Sequence, residues 1–272
     1  MNPLERFVAA VNCPASDVPL DIASLCIAAH AHLGLDIDAW LARLDGLAAR
    51  CSAPTFDALR SFLFEREGFR GNLDRYNDPE NSFLDSVVER RLGIPITLSV
   101  LMIAIGRRLD VDVQGVGMPG HFLVKDGARD DVWCDPFHGG AVLDADGCRR
   151  RFDLVYGGSL TFQPAFLSPT PPRAVVARML ANLERSQLGT DPVQRAWMCE
   201  LHLSIPGLAF HDRLALADQL AATGDVVRAA AVFDLLADRA DSEAIGTESE
   251  AADGDLATKL RTRARGLRAR MN

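Results

Sequence analysis

The sequence predicts an α+β fold in which a helical N-terminal part leads into a small antiparallel sheet and then into an α-helical module. Three observations predict it. Apolar residues recur at helical spacing through residues 3–66. A nearly continuous apolar stretch, ITLSVLMIAIGRRL, is followed by the short β-branched and aromatic runs VDVQGVGM, HFLVK and DDVWCDPF. From Arg173 onward the composition turns to alanine- and leucine-rich helical segments.

Taken in order, SDVPLDIASLCIAAHAHLG places Ile22, Leu25, Cys26, Ala29 and Leu33 on a helix, with Asp21 as its cap and Gly34 as its stop. DIDAWLARLDGLAARC continues with Trp40, Leu41, Leu44 and Leu47, and TFDALRSFLFEREG opens a third helix after Pro54. His30 and His32 lie two apart, hence on different helix faces, and are expected to be structural. The segment FRGNLDRYNDPENS, residues 69–82, is a polar loop, and Asn81 or Ser82 is expected to cap the helix FLDSVVERRLG. Pro95 suits the first turn of the next helix, whose cationic end at Arg107 and Arg108 matches the helix dipole. Residues 141–172 are expected to form a hairpin or edge segments leading into the proline run 169–172.

That run sets the expected boundary between a first domain, 1–168, and a helical second domain, 173–272. Within the second, Asp191, Val193 and Leu201 recur as Asp225, Val227 and Leu235, each 34 residues on, which is the tetratricopeptide period. The polar stretch 241–255 is expected to be flexible. The C-terminal run, with six basic residues from Lys259 to Arg270, is expected to form a helix docked on the acidic repeats.

The chain has 272 residues, 48% hydrophobic and 24% charged, as in a soluble globular protein. A formal charge of −8 makes nucleic acid an unexpected partner. The start lacks a basic segment followed by an apolar core, and the longest apolar run, Ile94 to Ile105, is too short to span a bilayer, so a cytoplasmic protein is expected. Six cysteines far apart, with no CxxC pair, read as reduced thiols.

The segments FRGNLDRYNDPENSFLDSVVERRLGIPITLSVLMIAIGRRL, GVGMPGHFLVK and DPFHGG together resemble the SirB1 family, a transglutaminase-like (papain-like) group with a tetratricopeptide-like C-terminal part. In the thiol enzymes of that fold a cysteine at a helix N-terminus is followed by a histidine and then an acid on successive strands. The dipole and the histidinium stabilise the thiolate, and the acid fixes the histidine tautomer. The resemblance places His121 and Asp135 in the second and third positions; the first falls within Pro95 to Thr97, which contains no cysteine.

The candidate catalytic residues are therefore His121 and Asp135, as a relic pair. Candidate binding residues are Arg70, Asn72, Tyr76 and Asn81 in the polar loop, for which internal hydrogen bonding is the equal alternative, and the hydroxyls of Thr97 and Ser99. Cys134 should face away from His121, since neighbours along a strand alternate. A metal site from His121, Asp135 and His138 has no recognised spacing, so neither a metal nor any other cofactor is expected. The leading expectation is a non-catalytic protein with a protein or peptide partner. A hydrolase using His121 as general base, and a helical-repeat adaptor, are the alternatives.

Overall fold

The computed structural model describes residues 1–244 and 250–269. The chain divides into two compact units, Met1–Gln187 and Leu188–Asn272.

The first unit is the expected α+β arrangement. α1 (Pro3–Val11), within the span expected to be helical, starts from a reciprocal capping box: Asn2 accepts from the Glu5 N–H while Glu5 accepts from the Asn2 N–H. α2 (Leu20–Ala31) is buried on nearly every side. Its expected cap is corrected: Asp21 lies inside the first turn and pairs at 2.7 Å with Arg108. Asp36 caps α3 (Ile37–Ala48) and Thr55 caps α4 (Phe56–Arg60). Beyond α4 the chain widens into a π-helical stretch, Ser61–Arg66, that buries Phe62, Leu63 and Phe64.

β1 (Arg70–Gly71) pairs in parallel with β2 (Leu92–Gly93) on either side of α5 (Leu84–Arg90). Neither Asn81 nor Ser82 caps α5, whose N-cap is Phe83 without a side-chain bond, because Asn81 is committed to the loop. α6 (Pro95–Arg108) begins at the proline as expected and is buried from Pro95 to Met102. Asp110, at φ +55°, turns the chain into β3 (Val113–Val116). β4 (Leu123–Asp126), β5 (Trp133–Asp135) and β6 (Ala141–Leu143) complete an antiparallel sheet of order β3-β4-β5-β6, in register at Gly115 with Val124, Lys125 with Trp133 and Asp135 with Ala141. α6 packs against this sheet at β3 and β4.

The expected hairpin after residue 141 is replaced by β6 and a twelve-residue helix, α7 (Ala145–Tyr156). Its signals were local: Asp144 caps it through the Gly147 N–H, and Gly157, at φ +55°, ends it. Phe152 of α7 joins Val116, Met118, Leu123 and Trp133 in one apolar cluster. α8 (Pro172–Glu184), expected to open the second domain, belongs to the first unit. There Arg173 donates to the carbonyls of Val11 and Cys13, and Met179 meets Ser24 of α2. The division therefore falls near residue 187, beyond the proline run.

The second unit comprises α9 (Pro192–Leu203), α10 (Phe210–Ala222), α11 (Val226–Ala244) and α12 (Glu250–Ala269). Asp191 and Asp225, 34 apart, each cap a helix, so the sequence period is real at the helix starts. It fails in the core: Leu201 is buried, whereas Leu235 is 67% exposed. Of the polar stretch expected to be flexible, residues 245–249 lie outside the described residues, and its two ends belong to α11 and α12. α12 docks as expected, Arg261 on Asp238 and Asp241, Arg263 on Asp218 and Arg268 on Asp234; Arg270 is outside the described residues. Among the described residues no helix is long and apolar enough to cross a membrane.

Candidate functional site

The site is built on two turns. Met118, Pro119 and Gly120 reverse the chain between β3 and β4, with Gly120 at φ +72°, and the His121 N–H donates to the Met118 carbonyl at 3.0 Å. Only glycine fits at 120, because a methyl group there would meet Val155 Cγ1 at 2.6 Å. Arg178 of α8 holds the same turn, donating to the carbonyls of Met118 at 3.1 Å and His121 at 2.7 Å. The second turn, Pro136–His138, follows β5 and ends at Gly139 and Gly140, both at positive φ. Phe64 of the π-helical stretch lies against Gly140, where a Cβ would meet its ring at 2.4 Å, and Phe137 lies equally close to Gly71 of β1.

These turns bring His121 and Asp135 together. Asp135 is fully buried and its Oδ1 accepts from His121 Nε2 at 3.0 Å. Its Oδ2 accepts from His138 Nδ1 at 2.7 Å and faces Arg151 Nε at 3.2 Å, while the His138 N–H donates to Oδ1. Burial by itself raises the Asp135 carboxyl, but the hydrogen bonds and positive charge of His121 and His138 outweigh it and hold the group below its ordinary value. One carboxylate therefore organises two imidazoles and a guanidinium. His121 is 8% exposed, whereas the His138 ring lies at the surface.

The other predicted residues divide sharply. Asn72 and Asn81 are buried and bond to each other at 2.9 Å; Asn72 also accepts from the Arg75 N–H, and Asn81 donates to the Arg75 and Tyr76 carbonyls. They hold the loop in shape. Arg70 is exposed on β1. Tyr76 does reach the site, its ring 5.7 Å from Phe137, which in turn stands 6.2 Å edge-on to His121. Ser99 is buried and donates to the Pro95 carbonyl at 2.8 Å, the bond expected of a hydroxyl one turn inside a helix. The Thr97 hydroxyl is buried with no hydrogen-bond partner among the described residues.

Cys134 is buried between Trp133 and Asp135 with its thiol pushed up by burial and by the Asp135 charge. Burial likewise pushes Cys26 and Cys148 up to about 12.

Three parts of the site were not anticipated. His138, weighed from the sequence only as a third metal ligand, shares the Asp135 carboxylate, and Arg151 and Arg178 come from α7 and α8. The ligand atoms of His121, Asp135 and His138 lie within 4.8 Å of one another, close enough to share one ion. In the arrangement seen here the two imidazoles are bonded to the carboxylate instead, and Arg151 opposes a cation on Oδ2. The one sequence signal for such a cluster was the D-P-F-H spacing, which puts an Asx-type bond from the His138 N–H onto Asp135.

Residues 29–181 match the transglutaminase-like superfamily, more than half of the chain. A UPF0162 protein of Xylella fastidiosa is 42% identical over 146 residues, 52% of this chain and 52% of its own. A UPF0162 protein of Pseudomonas aeruginosa is 29% identical over 187 residues, 65% of this chain and 68% of its own. Human F-box only protein 21 is 35% identical over 100 residues, 37% of this chain and 14% of its own. The chain spans about half the length of curated relatives such as the Xylella protein. No solved structure matches.

Proposed function

The chain belongs to the transglutaminase-like superfamily, and from that premise we propose that it is a non-catalytic member of the SirB1 group, acting as a protein-binding or regulatory module. The observation that carries this reading is the start of α6, where Pro95, Ile96 and Thr97 stand in place of a thiol. Loss of the nucleophile removes the covalent intermediate itself, a larger loss than that of an orienting residue. Ser99 is spent on the Pro95 carbonyl, and the His121 ring is nearly closed to solvent. Asp135 then acts as the structural anchor of two turns and of α7. The segment shared with F-box only protein 21 makes up 14% of that chain, which fits a domain used as a module. The second unit reads as a degenerate tetratricopeptide-like module, supported by the helix caps 34 residues apart.

One observation favours a second reading, a hydrolase in which His121 activates water. The Asp135 bond to Nε2 orients the imidazole as a general base requires. Labelling separates the two. Intact protein treated with a fluorophosphonate and with iodoacetamide is expected to show no stoichiometric adduct that depends on His121. An adduct that forms stoichiometrically in the native protein and vanishes in His121→Ala would overturn the non-catalytic reading.

A further inference from the structure

A cavity of about 790 Å³ lies in the first unit, distinct from the His121–Asp135 cluster, between the outer edge of β3, the C-terminal half of α6, the 15–21 segment and the proline run. Its size is that of a ligand or peptide groove. Val18, Leu20, Ile103 and Val175 supply apolar walls, and Asp17, Asp110 and Asp112 stand exposed around it.

The backbone of β3 explains what such a groove can take. β3 is an edge strand, and in its register with β4 the residues alternate between facing the partner strand and facing out. The Gly127 N–H donates to the Asp112 carbonyl, so Asp112, Gln114 and Val116 face β4, while Val113, Gly115 and Gly117 face outward. The chain itself already uses part of that outward edge. The Thr170 N–H donates to the Gly115 carbonyl at 2.7 Å, and Thr170 Oγ1 accepts from the Gly117 N–H at 2.7 Å. The proline run thus sits on one half of the edge in the manner of an added strand. The other half, the N–H and C=O of Val113 and the N–H of Gly115, borders the cavity.

We infer that this half-edge and its groove bind an extended, basic peptide segment of another protein by strand addition. The inference rests on the protein-binding reading above and gives it a location and a partner chemistry. Main-chain bonds to Val113 and Gly115 would align the segment, and alternate apolar side chains would enter the cavity. The remaining side chains would point to the three carboxylates. Asp110 has no ion-pair partner among the described residues, and the Asp112 carboxylate, which leans over Gly127, accepts from the Gln114 side chain. The single cation in the lining, Arg107, reaches the Asp17 carbonyl at 3.4 Å. This charge pattern disfavours a second copy of the chain, because pairing edge to edge would set like carboxylates against each other.

The test uses the full chain, labelled with ¹⁵N, and two synthetic hexapeptides, acetyl-KVKVKV-amide and acetyl-EVEVEV-amide. The basic peptide is expected to shift the Val113 and Gly115 amide resonances saturably, and the acidic one to leave them in place. The double variant Asp110→Lys/Asp112→Lys, both surface positions, is expected to weaken the basic peptide roughly fivefold or more at low ionic strength. Val113→Pro, which removes one main-chain donor, should weaken binding of the basic peptide; if it fails to fold, the surface variant still decides. The inference is overturned if neither amide shifts at millimolar peptide, if the acidic peptide binds equally well, if the shifts fall on the His121 turn or on residues 188–244, or if the chain self-associates through this edge. None of these outcomes alters the labelling result, so the two readings fail separately.

Discussion

Replacing Asp135 by Asn changes little in shape and much in charge. The carboxylate is fully buried and meets His121 Nε2 at 3.0 Å, His138 Nδ1 at 2.7 Å and Arg151 Nε at 3.2 Å. An amide keeps one acceptor and turns its other end into a donor, which faces groups that are themselves donors. Removing one member of a buried charged set costs about 3–5 kcal/mol. His138 and Arg151 are 35% and 27% exposed, and water can recover part of their loss, so the low end, about 3 kcal/mol, is expected. At roughly 2–4 °C per kcal/mol for a unit of this size, the first unit should melt about 6–12 °C lower at pH 7. The pH dependence has a definite sign. The folded Asp135 carboxyl lies below its ordinary value of 3.8, so its contribution is complete above that value and is lost as the pH falls through the folded one. Urea midpoints of the native protein and Asp135→Asn should therefore differ at pH 7 and begin to converge as the pH falls below 3.8. A melting shift under 2 °C at pH 7, or a gap that persists unchanged at pH 3, would refute the claim that this carboxylate anchors the site.

His32 donates to Asp85 at 2.6 Å and to Glu80 at 3.4 Å; burial lowers its value, but these two acids outweigh it and hold the imidazolium above 6.5. Its contribution is then complete below 6.5 and lost as the pH rises through the folded value, so the native protein should lose stability above neutrality in urea titrations while His32→Gln stays flat there. Gly71→Ala would set a methyl group 2.5 Å from the Phe137 ring and 2.6 Å from its carbonyl, and calorimetry should show a loss of about 1–3 kcal/mol. Arg178→Met removes both bonds to the His121 turn; hydrogen exchange of the turn amides should accelerate by at least tenfold while residues 188–244 are unchanged. The double variant Arg263→Ala/Arg268→Ala should cost the second unit at most about 1 kcal/mol, and the difference should vanish in 1 M salt.

The elements that carried strong periodicity or an unambiguous cap were legible in the sequence. α6 starts at its proline, a helix opens after Pro54, and the strand order after Asp110 is as expected. Where a tertiary partner competed for the capping side chain, the local rule failed. Asp21 is taken by Arg108 and Asn81 by the loop carbonyls, so neither caps the helix beside it. α7 was missed because its face toward solvent carries Arg149, Arg150 and exposed Leu154, which dilutes the apolar period, although its cap and its terminal glycine were in plain view. In the second unit Asp191 and Asp225 each cap a helix, while Leu201 is buried and its expected counterpart Leu235 is exposed.

The site divides along the same line. His121 and Asp135 could be paired from strand order and the family resemblance, because two adjacent antiparallel strands put both at one edge. Arg151 and Arg178 could not, since each arrives on a helix whose approach depends on packing of the whole unit. Their arrival explains how the pair is held in place while the start of α6, Pro95 to Thr97, carries no cysteine. His138 donates to the Asp135 Oδ2 that Arg151 faces as an ion pair, and Arg178 fixes the His121 backbone, so the carboxylate has partners enough to remain ionised in a buried position. A residue retained for that reason loses stability when it is substituted, whereas one retained for catalysis loses turnover. Asp135→Asn measured by melting and His121→Ala measured by labelling place the pair in one class or the other.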